Sequence, residues 1–312
     1  MGAGSALLSA CSPRERTRSL TGLTLRVATY KGGVQSFFEA AGVADTPYRI
    51  AYSEFAGGNL ITEAIDAKAI DVGSMSEIPP IFVANGSPLL RLVAVLKGDV
   101  NNQVTLVPAG SAIRSPADLK GKRIGYVRAT TSHYFLLRLL KEHGLSFADV
   151  SPMALTPQDG LAAFGRGALD AWVIYGVQSN LARARFGARV LATGLGRLSG
   201  DYVYAALADS LADPTRSAAI ADYLQRVRRA YGWADANPQA WAAIVGKTTG
   251  VPAAIYLQQF HERSGPTSLG PVDAAAIGSQ QSVADTFAAA GVIPGRVDVI
   301  RLWDQAFAKS LF

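Results

Sequence analysis

Residues 48–74 read YRIAYSEFAGGNLITEAIDAKAIDVGS. The opening eight residues are a strand-like run. Gly57-Gly58-Asn59 is a turn that opens a helix, with Leu60, Ile61, Ala64 and Ile65 at helical spacing. Residues 71–74 are a second short strand. Strand, helix and strand in one short stretch predict a parallel crossover unit. The same alternation extends in both directions. Upstream, residues 23–29 (LTLRVAT) are a strand, followed by a turn at Gly32-Gly33 and a helical stretch through Phe37 and Phe38. Downstream, Pro79-Pro80 begins a helix where proline is tolerated, and residues 89–96 are a strand. The pattern restarts near residue 104. Strands at 103–107, 122–126, 171–175, 190–192 and 202–207 alternate with helices at 115–119, 131–143 and 161–166. Ser115-Pro116 supplies a cap and a first-turn proline, and Gly144 closes the 131–143 helix. Beyond residue 207 the chain reads as nearly all helix, with starts at Asp213-Pro214 and Asn237-Pro238 and a third segment at 272–290. No sequence repeat of fixed period is visible. The fold class is α/β, a mostly parallel sheet with helices on both faces.

The chain has 312 residues, which suggests two domains. Half of them are hydrophobic and 17% are charged, which suits a well-buried body. No apolar run reaches the roughly 18–20 residues that a membrane span requires. The net charge is +6, with the basic residues dispersed. The densest group, Arg226, Arg228 and Arg229, shares a helix with Ile220, Tyr223, Leu224, Val227 and Tyr231. That spacing gives a buried stripe and a solvated basic face, not a nucleic-acid patch. His133, His143 and His261 form no metal-spacing pair, so no metal is predicted. There is no Ser-His-Asp signature and no phosphate-binding glycine loop, so no cofactor is predicted. Cys11 is the sole cysteine, which excludes an internal disulfide. Residues 7–11 (LLSAC) resemble a bacterial lipoprotein cleavage box, although a positively charged leader is missing and the apolar stretch is short. Residues 12–21 then read as a tether. The plainer reading, a chance cysteine in a loose N-terminus, stays open.

Several segments, in register, resemble one family. They are residues 25–33 (LRVATYKGG), 52–63 (YSEFAGGNLITE), 69–80 (AIDVGSMSEIPP), 115–126 (SPADLKGKRIGY), 130–134 (TTSHY) and 164–174 (FGRGALDAWVI). Residues 287–307, with Gly291, Val297-Asp298 and Trp303-Asp304, continue the match. Together they resemble the solute-binding proteins of ABC importers for aliphatic sulfonates, nitrate and taurine. The resemblance implies a type II periplasmic-binding-protein fold, two α/β lobes joined by two hinge strands around a ligand cleft. It implies lobe one at 23–107 plus 200–312, lobe two at 108–199, and a signal remnant and tether at 1–22. The implied function is periplasmic capture of a small organic anion, foremost an alkyl or aryl sulfonate, for delivery to an ABC permease and its ATPase. A lipid anchor through Cys11 would hold the protein at the membrane. Nitrate or taurine binding stays open, as does a sulfur-compound enzyme or sensor on the same scaffold. The desulfinase relatives imply a cysteine nucleophile in the cleft. Here the sole cysteine is Cys11, in the tether, so the chain is not expected to be an enzyme.

A small anion is best held by donors already in place, and helix N-termini supply free N–H groups and a favourable dipole. Three segments that follow strands are candidates. The first is Lys31, Gly32 and Gly33, where glycine permits close backbone approach and lysine adds charge. The second is Ser76 with Glu77. The third is Thr130, Thr131 and Ser132, with His133 behind them. Each also has a plain reading: an ordinary turn, a loop residue, a simple cap. Trp172 and Tyr175 either line the cleft around an apolar tail or belong to the core. Tyr202 and Tyr204 alternate with Val203, so they share one face of their strand. Relatives carry Trp-Asp-Pro after the 171–174 strand, whereas here the stretch is Tyr175-Gly176-Val177. The missing aspartate disfavours a ligand amine such as taurine's, unless Glu77 or Glu54 replaces it.

Overall fold

The computed structural model describes residues 20–305, 307 and 308. Cys11 and most of the tether lie outside the described residues. The chain first lays down β1 (Thr24–Thr29), β2 (Arg49–Glu54), α1 (Gly58–Asp66), β3 (Val72–Ser76) and β4 (Leu90–Lys97). It crosses to a second sheet through β5 (Val104–Val107), β6 (Arg123–Tyr126), α2 (Thr131–Glu142), β7 (Ser151–Ala154), α3 (Pro157–Gly165), β8 (Ala171–Ile174), α4 (Gly176–Phe186) and β9 (Arg189–Thr193). It returns through β10 (Asp201–Leu207) and finishes with α5 (Ala208–Ala212), α6 (Pro214–Ala236), α7 (Pro238–Thr249), α8 (Ala253–Glu262), β11 (Ser268–Gly270) and α9 (Ala274–Ala289). The helices expected at Gly33–Phe38, Pro79 and Ser115 are single 3-10 turns at Val34–Phe37, Pro79–Phe82 and Pro116–Leu119. None of the helices described is long and apolar enough to cross a membrane.

The first sheet has the order β11-β4-β10-β3-β1-β2, and the second β7-β6-β8-β5-β9. Leaving out the edge strand β11, the two share one topology. In each, one strand runs against the rest: β10 pairs antiparallel with β3 and β4, and β5 with β8 and β9. The reversed strand is the one that has just crossed over. β4 and β9 end at the gap between the sheets, so the next strand starts at that gap and points away from it. The internal repeat is therefore one of topology, and no sequence period reveals it. Residues 104–107, expected in lobe one, belong to the second sheet for the same reason, because the chain has already crossed. Two connections join the sheets, one between β4 and β5 and one between β9 and β10. Residues 98–103 and 194–200 are turns and loops, bonded to one another from Gly98 N–H to the Gly200 carbonyl (2.9 Å) and from Gly194 N–H to the Gln103 carbonyl (2.8 Å).

Each sheet has an apolar core on both faces. On β10, Tyr204 and Ala206 face the cluster with α6, while Val203, Ala205 and Leu207 face the cluster with α1 and α9. Ile220, Tyr223, Leu224 and Val227 form the expected buried stripe of α6. Arg226, on the same helix, pairs with Asp222 at 2.6 Å. In the second sheet, Trp172 and Ile174 face α3 and α4, and Ala171 and Val173 face α2. This period-2 alternation sets which side chains point toward helices.

Candidate functional site

A cavity of about 590 Å³ lies between the sheets. The first residues of α1 (Gly58), α2 (Thr131), α3 (Pro157) and α4 (Gly176) all line it. This follows from topology. Parallel strands end at the gap, and each helix that follows starts there, as open α/β sheets arrange their ligand sites. Four positive helix ends therefore converge on one space.

The start of α2 is the most tightly built of these walls. Ala129 has φ +59°, a left-handed conformation that a non-glycine residue adopts only when its surroundings fix it. Here the surroundings are explicit. Thr130 Oγ1 donates to the Val127 carbonyl at 2.8 Å. Ser132 Oγ accepts from Val127 N–H at 3.1 Å and donates to the Val173 carbonyl. The N–H groups of His133 and Tyr134 both turn back to the Thr130 carbonyl. Those of Thr131 and Ser132 lie in the first turn, which lacks intrahelical acceptors. Thr130 and Thr131 line the cavity, whereas the Ser132 side chain is spent on holding the turn.

Lys31, Gly32 and Gly33 also line the cavity, with Lys31 exposed at its edge. Gly33 N–H is consumed by the Tyr30 carbonyl at 2.9 Å. A Cβ at Gly32, where φ is +72°, would sit 2.5 Å from Thr249 Cγ2. The turn therefore needs glycine for packing against α7. Ser76 lines the cavity from the end of β3. Tyr175 lines it from the end of β8. Its hydroxyl lies 3.7 Å from where a Cβ on Gly57 would sit, so it spans from the second sheet to the first. Tyr30 and Tyr202 join it. Burial raises the pKa of all three phenols, Tyr175 to about 12, so each remains neutral. Gln103 Nε2 donates to the Tyr202 hydroxyl at 2.7 Å, and that hydroxyl donates to the Asp99 carbonyl at 3.2 Å.

Three further expected site residues point elsewhere. Trp172 is fully buried against Phe164 and Gly160, where a glycine Cβ would come 2.6 Å from the indole nitrogen. It faces α3 because strand alternation turns it from the gap. His133 packs among Tyr126, Phe147 and Phe287. Burial, helped by Arg128, holds its pKa down at about 4, so it is a neutral aromatic contact between α2 and α9. Glu77 is buried at the crossing. It accepts from Ser199 Oγ at 2.6 Å and from Ser279 Oγ at 3.1 Å. Burial pushes its pKa up to about 7, with the Ser199 bond opposing and Asp201 adding. It lines only a separate space of about 10 Å³ and does not face the main cavity.

The sequence reading passed over one whole wall. Tyr231 on α6, Trp241 on α7, Phe260 on α8 and Arg263 after it line the cavity. Aromatic residues at helical spacing look like core, and nothing in the spacing separates the two cases. The start of α4 was more readable, because Gly176 follows a strand just as Gly58 does. Among the described residues no group of three His, Cys, Asp or Glu is placed to hold a metal ion.

A family model described as NMT1/THI5 like matches residues 26–241. An aliphatic sulfonates-binding protein of Escherichia coli (strain K12) is 34% identical over 260 residues, 82% of this chain and 79% of that protein. The chain belongs to the NMT1/THI5-like family. Its two-sheet fold is the one seen in periplasmic binding proteins of that kind. The crystal structure of the periplasmic aliphatic sulphonate binding protein SsuA from Escherichia coli superposes with a TM-score of 0.78 at 31% identity, covering 90% of this chain and 92% of that one. The alkanesulfonate-binding protein SsuA from Xanthomonas axonopodis pv. citri, bound to MOPS, gives 0.81 at 28%, covering 91% and 99%. The resemblance drawn from the sequence motifs, and the fold it implied, are both borne out.

Proposed function

We propose that this chain is a periplasmic solute-binding protein that captures a small organic sulfonate between its lobes and passes it to an ABC permease and its ATPase. The convergence of four helix starts on one interlobe cavity carries this reading. A sulfonate has three oxygens that only accept hydrogen bonds. Free N–H groups at the start of α2, the hydroxyl of Thr131 and the neutral hydroxyl of Tyr30 only need to donate. Lys31 at the edge adds attraction at longer range. The family relatives named for sulfonates support the choice of anion. The crossings at 98–103 and 194–200 divide the two lobes and serve as the hinge. Cys11 remains the proposed point of lipid attachment.

A thermal-shift panel of alkanesulfonates, arenesulfonates, taurine, nitrate and sulfate tests the assignment. A ligand that binds only the native state raises the melting temperature by mass action. Sulfonates are expected to raise it in a dose-dependent way. A shift with nitrate alone, or with no anion, would reject the sulfonate assignment.

A further inference from the structure

The donor groups account for only part of the lining. The wall passed over in the sequence is aromatic, and it comes from helices outside both sheets. Trp241 stands 5.6 Å, centroid to centroid, from Phe260. The Arg263 guanidinium sits 3.7 Å over Phe260 and is held by Asp235 at 2.6 Å. This patch adjoins the donors on two sides. The Gly32 turn abuts α7, and Asn180 on α4 donates to Gln259 on α8 at 2.9 Å. A group attached to an anion held by those donors would therefore lie against Trp241 and Phe260.

Both rings are only partly buried, so each presents surface to the cavity. At about 590 Å³ the space falls within the range that encloses a whole organic molecule, far more than a bare anion or a methyl sulfonate occupies. A flexible alkyl chain would gain contact area there at the cost of its rotamer freedom. A rigid ring gains the same area and in addition an offset or edge-on partner at the spacing aromatic pairs prefer. We infer that the ligand is an arenesulfonate whose ring stacks in the Trp241–Phe260 wall, an inference that rests on the sulfonate reading above.

Isothermal titration with 2-naphthalenesulfonate, benzenesulfonate, decanesulfonate, hexanesulfonate and methanesulfonate tests it, with Trp241 fluorescence as a second readout. Each arenesulfonate is expected to bind roughly three- to tenfold tighter than the alkyl sulfonate of equal carbon number. In Trp241→Leu and, separately, Phe260→Leu, the affinity ratio of naphthalenesulfonate to methanesulfonate is expected to fall by a similar factor. Thermal melts check that both variants fold. Alkyl sulfonates binding as tightly as aryl ones, or a ratio unchanged in both variants, would overturn the aromatic assignment and leave the sulfonate reading standing. Binding of none of the five would overturn both.

Discussion

Glu77 and His133 are both buried and titrate in opposite senses. Glu77 is pushed up from 4.5 to about 7, chiefly by burial. Its contribution to stability is full below pH 4.5 and lost as pH rises through 7. At 1.36 kcal/mol per pKa unit, the loss is roughly 3 kcal/mol. His133 is pushed down from 6.5 to about 4, again chiefly by burial. Its contribution is full above pH 6.5 and lost as pH falls through 4, by a comparable amount. The two therefore offset one another in the wild type, and single variants separate them. Glu77→Gln keeps an oxygen for Ser199 and Ser279 and removes the buried charge. It is expected to match wild type at pH 4.5 and exceed it by roughly 3 kcal/mol at pH 8. His133→Phe, set among aromatic rings, is expected to exceed wild type near pH 4 and to match it at pH 7. Urea denaturation at several pH values measures both, and a Glu77→Gln difference that does not grow with pH would contradict the account. Neither role was legible in the sequence. Glu77 follows the lining residue Ser76, and His133 lies two residues after the lining residue Thr131, so only the strand alternation and the helix rotation decide which side chain turns inward. Thr130, Thr131 and Tyr175 were legible because they end strands or begin helices, and topology alone places such positions at the gap.

Among the elements, the start of α2 and the return crossing are the most constrained. Thr131 presents its hydroxyl and its backbone N–H at the same helix end. Thr131→Val keeps the shape and deletes one donor. A hydrogen bond to a charged group is worth about 1.5–3 kcal/mol. Sulfonate affinity is therefore expected to fall at least tenfold with the melting temperature nearly unchanged, as titration and a melt on the same variant would report. At the crossing, Gly200 has φ +76°, and a Cβ there would lie 2.9 Å from the Gly98 carbonyl oxygen. Gly144 has φ +69° but open space around it. Gly144→Ala is thus expected to cost about 1 kcal/mol for its backbone conformation alone, and Gly200→Ala about 2–3 kcal/mol because the two crossing segments must also part. Equal losses in denaturation would show that the contact at the crossing carries no energy. Strand and helix order was legible through residue 207, where period-2 and helical patterns alternate, except for α4, whose sequence GVQSNLARARF carries too few apolar residues to form a helical stripe. The short strands Ser151–Ala154 and Ser268–Gly270 were not: the first is exposed along its length and the second is only three residues long, so neither carries a periodic signal.

In the molecule as a whole, helices of the two sheets meet on both sides of the gap. On one side His133 of α2 meets Phe287 of α9. On the other, Leu161 and Val177 pack against the core of the first sheet, and Asn180 donates to Gln259 across the cavity wall. Ligand held between the lobes favours whichever form brings its donors together, and only contacts present in that form alone slow its escape. The Asn180–Gln259 bond joins the second sheet's α4 to a helix packed on the first, and parting of the lobes on that side would break it. Losing it is worth about 0.5–1.5 kcal/mol, a shift of roughly two- to tenfold toward the open form. Asn180→Ala should therefore release sulfonate two- to tenfold faster while capture proceeds at nearly the wild-type rate. Opening precedes release, whereas encounter takes place with the lobes already apart. Stopped-flow tryptophan fluorescence reads both rates, with Trp241 in the wall as reporter. Slower capture with unchanged release would assign Asn180 to the entrance and not to closure, and the side of the clamp formed by α4 and α8 would then be a fixed wall about which the opposite side moves.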